Sequence, residues 1–220
     1  MTVGGWTVRR WRGAVEELHG LQPDVGAERE VWLMSPLNAA LVLGSAQPAE
    51  IASAAPGDDL AAVRRRSGGG AVLVAPDDSV WIDVVIGRGD PLWDDDANRA
   101  PLWLGRAWAG ALSALGEGRG EVCRRFEPGR WGMLACVLGR GPGEVLVGGA
   151  KAVGLAQRRT RTTARFQTLL YRRWVPEQLI AGLAVPPEHA DGLRSALAGA
   201  IWTVAADTAR IHSAFLAALP

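Results

Sequence analysis

Of the 24 basic side chains in the sequence only one is a lysine, Lys151, and it stands among glycines in the run Gly148-Gly-Ala-Lys-Ala-Val-Gly-Leu-Ala-Gln-Arg-Arg159. A lysine ammonium is a compact point charge, whereas an arginine guanidinium is a planar fork, so the two do not substitute for each other at a tight site. Gly149 before it and Gly154 after it leave room for a substrate beside the charge. The competing reading is compositional: in an alanine- and arginine-rich sequence, a leftover lysine is a solvated surface residue.

A second glycine-rich segment reads Arg64-Arg65-Arg66-Ser67-Gly68-Gly69-Gly70-Ala71-Val72. Three successive glycines let the backbone approach a ligand and turn N–H groups toward an anionic oxygen. The flanking arginines match phosphates or a carboxylate in geometry. No Gly-Lys-Ser/Thr follows, so this is not a Walker loop.

Taken together and in order, RRRSGGGAV and GGAKAVGLAQRRTR resemble the lipoate-protein ligase A family, whose pattern is roughly R-R-x-S-G-G-G-A-V followed by G-x-K-x-x-G-x-A-Q-x-R. Leu41-Val-Leu-Gly-Ser-Ala-Gln47 resembles the earlier V-x-I-G-x-x-Q signature of that family, and the likeness runs from Val31 to Tyr171. The resemblance implies a fold shared with biotin protein ligases and the catalytic domain of class II aminoacyl-tRNA synthetases. It implies an enzyme that uses ATP and Mg2+ to turn lipoate or octanoate into an acyl-adenylate. The acyl group then passes to a lysine on a lipoyl carrier domain, of a 2-oxoacid dehydrogenase complex or of the glycine cleavage H-protein.

Residue by residue, the resemblance makes Lys151 the catalytic group, a fixed positive charge aimed at oxygens that gain charge in the reaction. It gives Arg65 and Arg66 phosphate contacts, and has Ser67, Gly68, Gly69, Gly70, Ala71 and Val72 line the substrate together with Gly149, Gly154 and Ala156. Glu144 falls where the family has an acidic residue near the metal, and a hard oxygen ligand suits magnesium. An ordinary strand-end carboxylate is the alternative for it.

Three departures are visible. Leu73-Val74-Ala75-Pro76 replaces the family's His-Asp after G-G-G-A-V, and Phe166-Gln167-Thr168-Leu169-Leu170 lacks the histidine that precedes the L-L pair. The sequence stops at residue 220 without the accessory domain of many such ligases, so a separate polypeptide is a further expected partner. Cys136 keeps a second mechanism open, an ATP-independent lipoyl or octanoyl transfer through a thioester, because some relatives use a cysteine in this way. Its apolar surroundings also fit an inert buried thiol. The missing histidines leave a third reading, a non-catalytic protein that binds a lipoyl or acyl adenylate. Biotin is disfavoured as substrate, since the Gly-Arg-Gly-rich loop of biotin ligases is absent.

The elements that must position these residues follow from hydrophobic patterning. At 220 residues, 48% hydrophobic and 21% charged, the sequence is long enough for one sizeable domain, here taken as residues 1–220. Its net charge of +1 carries no footprint for nucleic acid. No apolar run has the length of a membrane span, and Met1 to Gly20 contains no signal-peptide pattern, so the two cysteines are expected to be free thiols in the cytoplasm.

Apolar runs at 31–34, 41–43, 71–74, 80–86, 133–138, 144–147, 153–156 and 165–171 read as strands. Trp11, Val15 and Leu18 suggest a short helix. Leu104, Trp108, Ala111, Leu112 and Leu115 recur at helical spacing, with Asp94, Asp95 and Asp96 as its acidic start and Gly116 as its stop. Two more helices are expected at 188–198, entered through Pro186-Pro187, and at 207–219. The layout is an α+β fold with helices packed on a mixed, largely antiparallel sheet. The ten tryptophans are spread along the whole sequence and are assigned to packing.

Overall fold

The computed structural model describes residues 1–24, 26, 28–53 and 60–220. Its strands are β1 (Thr2–Val3), β2 (Trp6–Gly13), β3 (Glu30–Pro36), β4 (Ala40–Leu43), β5 (Ala61–Arg64), β6 (Val72–Val74), β7 (Ser79–Gly87), β8 (Glu121–Val122), β9 (Val145–Val147), β10 (Ala150–Arg159) and β11 (Thr163–Tyr171). The helices are α1 (Val15–Gly20), α2 (Leu102–Ala114), α3 (Pro176–Gly182), α4 (Pro187–Ala198) and α5 (Thr208–Ala217). Eight strands form one sheet in the order β1-β2-β3-β7-β11-β10-β9-β8, antiparallel except for β2 with β3. A second sheet has the order β5-β4-β6. This is the expected α+β, mixed and largely antiparallel arrangement.

Side-chain alternation splits the core between the two faces of the large sheet. On one face Val31, Leu33, Ile82, Val84 and Phe166 pack against α2 and α5, where the Trp108 and Phe215 rings stack with centroids 4.3 Å apart. On the other face Trp32, Met34, Trp81 and Val85 meet α1 and the three-stranded sheet. The central strand β7 is buried along nearly its whole length, because both of its faces are covered. That double cover explains its continuous apolar run.

Three local expectations differ from the structure. Trp11 belongs to β2, and only Val15 and Leu18 lie on α1. Residues 133–138 form turns and a 3-10 turn at Cys136–Leu138, with Ala135 alone bridging to Ala71. Asp94 and Asp96 do not cap α2, which begins after Pro101; they bind Arg99 and the amides of Asp96 and Asn98. Aspartate side chains satisfy nearby backbone donors in turns as readily as at a helix start.

The packing of α5 on α2 makes one expectation concrete. Phe215→Ala deletes a fully buried ring from the face opposite the small sheet and should cost about 3–5 kcal/mol, read as a lower midpoint in urea denaturation.

Candidate active site

The site begins with a tight hairpin. Gly148 and Gly149, with φ of +57° and +85°, form the two-residue turn between β9 and β10, the conformation that a type I′ turn requires. The turn pairs Val147 with Ala150 and so places Lys151 opposite Leu146, next to a register shift between Lys151 and Val153. Such a bulge re-aims a side chain. Gly149 therefore acts through the turn, and it lines neither of the cavities described below.

Lys151 is 4% exposed and is not a surface residue. Its Nζ donates to Glu144 Oε1 at 2.9 Å and to the Cys136 carbonyl at 2.8 Å. An ammonium has three donors, so one remains for a ligand. Glu144, 2% exposed, also accepts from the Leu155 amide through Oε1 and from the Gly141 amide through Oε2. These donors occupy the carboxylate as the counter-ion of Lys151. The described residues contain no group of three or more His, Cys, Asp or Glu that could hold a metal ion. Glu144 thus serves as the counter-ion of Lys151 and does not fit the role of a free metal ligand.

The RRRSGGGAV segment folds against the same place. Arg65 is buried, and it donates to the carbonyls of Val42 (3.1 Å), Gly68 (2.7 Å) and Gly70 (2.8 Å), clamping the glycine loop from beneath. Arg64 holds the Gly44 and Gln47 carbonyls. The Leu41–Gln47 motif completes the clamp: a Cβ at Gly44 would lie 1.9 Å from the Gly69 carbonyl oxygen, and Gln47 bridges the Gly44 amide to the Met133 and Leu134 carbonyls. A Cβ at Gly70 would meet the Gly132 carbonyl oxygen at 2.5 Å. The amides of Gly68, Gly69 and Gly70 donate to no protein acceptor among the described residues. Unpaired amides of this kind are donors available to a ligand.

Two cavities meet here. The inner one, about 630 Å³ including its mouth, lies between the two sheets and is walled by Val42, Val72, Val74, Trp81, Leu169 and Tyr171, with Lys151 and Gly154 on its lining. The outer one, about 840 Å³, is lined by Gly68, Gly69, Gly70, Phe126, Met133 and Glu144. Cys136, Leu155 and Ala156 line both, and the Lys151–Glu144 pair spans the junction. Ala71 is fully buried in its bridge to Ala135 and supports the loop from behind. Arg66 is exposed and faces a separate concavity. Cys123 lies in a further groove, and burial pushes its thiol up.

Two residues of the inner cavity carried no signal in the sequence. Trp81 is one wall, and His19 from α1 stacks on it with ring centroids 4.3 Å apart. His19 Nδ1 lies 3.2 Å from Gln167 Nε2, and Gln167 Oε1 accepts from the Ser67 hydroxyl at 2.9 Å. Burial, reinforced by the charges of Arg165 and Arg65, pulls the His19 pKa down to about 3. α1 itself is tied down by Arg165, which pairs with the fully buried Asp83 at 2.6 Å and donates to the Leu18 and Leu21 carbonyls. Only the tertiary structure brings α1 to β11, since Leu18 and Arg165 are distant in sequence.

No family model and no curated protein matches the sequence. Solved structures do match in fold. A bi-partite lipoate protein ligase from Thermoplasma acidophilum, studied with its E2 lipoyl domain, superposes with a TM-score of 0.72 at 17% identity, over 97% of this chain and 80% of that one. Lipoate-protein ligase A bound with ATP gives 0.69 at 16% identity, over 97% and 82%. P. falciparum LipL1 in complex with lipoate gives 0.65 at 11%, over 97% and 61%. The chain has the lipoate-protein ligase fold.

Two measurements probe this geometry. Lys151→Met strands the buried Glu144 carboxylate and should cost about 3–5 kcal/mol of stability; adding Glu144→Gln should restore part of that loss in a denaturant double-mutant cycle. The second concerns pH. The unfolded chain protonates histidine near pH 6.5, whereas folded His19 stays neutral to about 3 and His212, held down by burial and Arg10, to about 4. The unfolded state therefore binds more protons below pH 6.5, and stability falls as pH drops. His19→Phe, which keeps a ring on Trp81, should remove about half of that slope between pH 6.5 and 4.5, read as Tm against pH.

Proposed function

We propose that the protein is a lipoate-protein ligase, which activates lipoate or octanoate with ATP and transfers the acyl group to a lysine of a lipoyl carrier domain. The observation that carries this reading is the placement of one buried ammonium at the junction of an apolar cavity and a glycine-lined cleft. The inner cavity suits an acyl tail, and its mouth puts the carboxylate beside Lys151. The outer cleft offers the free amides of Gly68, Gly69 and Gly70 to the phosphates of ATP. A carboxylate oxygen attacks the α-phosphorus, the bond to the leaving pyrophosphate breaks, and an acyl-adenylate results. The carrier amine then attacks the acyl carbon, AMP departs with the bonding pair, and the amine loses its proton to solvent.

In both steps Lys151 supplies a fixed charge to oxygens that gain negative charge, and it needs little reorganisation because Glu144 and the Cys136 carbonyl already hold it. Arg65 acts one layer below, by shaping the glycine loop. Magnesium enters with the nucleotide. The bi-partite archaeal ligase supports a separate accessory polypeptide as a partner and a lipoyl domain as the acceptor. Free Cys123 and Cys136, and the lack of any helix among the described residues long and apolar enough to cross a membrane, accord with work in the cytoplasm.

One observation favours a second reading. Cys136 lines both cavities, and its thiol faces Arg65, so a thioester formed there by exchange with an acyl-carrier thioester, whose own thiol leaves, would sit at the same junction without ATP.

A single assay separates these possibilities. Protein, octanoate or lipoate, MgATP and an apo lipoyl domain, with any accessory partner, should yield acylated carrier and pyrophosphate, and Lys151→Arg should lower the rate by about 100-fold or more. With an octanoyl or lipoyl carrier thioester as donor in place of the free acid, a hydroxylamine-labile adduct formed without ATP and lost in Cys136→Ser would favour the thioester route. Binding of acyl-adenylate with neither synthesis nor discharge would mark a non-catalytic binding protein.

A further inference from the structure

The inner cavity ends in a polar wall. Gln167 and His19 line it on one side, and the same two residues line a smaller concavity of about 350 Å³ on the other. Beyond the wall the lining is basic, with Arg66, Arg158 and Arg165 beside the hydroxyl-bearing Thr160 and Thr163. Strand register puts the two spaces in line. The pairs Gly154–Leu169, Ala156–Gln167 and Arg158–Arg165 follow one another on a single face of the β10–β11 hairpin, about 7 Å apart. The route therefore runs from Lys151 through the apolar cavity to Gln167 and on to the arginines. Arg165 has Asp83 as its partner, while Arg66 and Arg158 have no ion-pair partner among the described residues.

The wall is held together in one direction. The Ser67 hydroxyl donates to Gln167 Oε1, which leaves the Gln167 amide N–H groups facing His19 Nδ1. Nδ1 is then an acceptor, and the proton of the neutral ring sits on Nε2. That Nε2 is buried and has no partner. The ring is fixed by Trp81 on one side and Gln167 on the other, with α1 anchored behind it by Arg165.

Resting on the acyl-binding reading above, we propose that His19 and Gln167 are the specificity-determining end wall of the acyl cavity. The wall limits the substrate to medium-length acids with an apolar far end. It keeps the acyl tail from the three arginines, so that a longer acid fits only if the wall is opened. An apolar tail gains little among guanidinium groups, whereas a carboxylate pairs with them. An opened wall should therefore favour a long acid that carries a second carboxylate at its far end.

The test is isothermal titration calorimetry with octanoate, dodecanoate and dodecanedioate, on the wild-type protein and on His19→Ala, Gln167→Ala and His19→Phe, each checked for folding by its Tm. Wild type and His19→Phe should bind octanoate at least about tenfold more tightly than either longer acid. His19→Ala and Gln167→Ala should move the preference toward dodecanedioate by about tenfold or more, with a smaller gain for dodecanoate. Two opening variants approach the wall from different elements, so the loss of one to misfolding leaves the other to decide. The end wall is refuted if wild type takes dodecanoate as readily as octanoate, or if a folded opening variant keeps the wild-type order. A wild-type protein that binds none of the three acids refutes instead the acyl-binding reading on which the wall depends.

Discussion

A buried ammonium and a buried carboxylate, Lys151 and Glu144, set the layout of this site. Withdrawing two charges from water is costly and is offset only when further hydrogen bonds complete the pair. Here those bonds come from Gly141, Leu155 and the Cys136 carbonyl. The Gly141 amide belongs to the loop of Glu144 and the Leu155 amide to β10, whereas the Cys136 carbonyl holds a further loop against β10. Gly70 in turn packs within van der Waals reach of that loop, because any side chain at Gly70 would strike Gly132, Ala135 or Cys136. The two cavities meet where they do as a consequence of satisfying one ion pair.

Near the site some arginines act as tethers and others stand as unpaired charges, and the acceptors within reach draw the line. Arg64, Arg65 and Arg165 spend their donors on backbone carbonyls and, for Arg165, on Asp83. They convert an abundant cationic residue into a clamp for loops that cannot form regular secondary structure. Arg66 and Arg158 are exposed and have no carboxylate partner among the described residues. Adjacent residues of one motif, Arg65 and Arg66, thus have unlike duties: the first shapes the loop, and the second faces a different concavity.

Most elements near the site were legible in the sequence. The strands at 31–34, 41–43, 80–86 and 165–171 and the helices at 188–198 and 207–219 correspond to β3, β4, β7, β11, α4 and α5, because a strongly apolar or amphipathic run has few ways to bury itself. The 133–138 run looked equally apolar, yet it packs as a loop between the glycine segment and the lysine strand, with the single bridge of Ala135 to Ala71 in place of a ladder. The Asp94–Asp96 triplet had two local uses open to it, and the nearby Arg99 selected the turn.

By itself the sequence determined that its one lysine stands among glycines, that a second glycine segment precedes it, and that the architecture is α+β. Composition and spacing carry those facts because they depend on residue type and near neighbours. Tertiary structure alone decided that Glu144 is the lysine's counter-ion, that Arg65 braces the loop, and that His19 reaches the cavity from α1 to stand beside Gln167 and Ser67. The last depends on which faces of remote segments are pressed together, and the first two on where the folded backbone aims side chains that are near in sequence. A histidine between Leu18 and Gly20 near the start of the chain shows no trace of the tryptophan it will stack upon until Asp83 and Arg165 have drawn its helix onto the sheet.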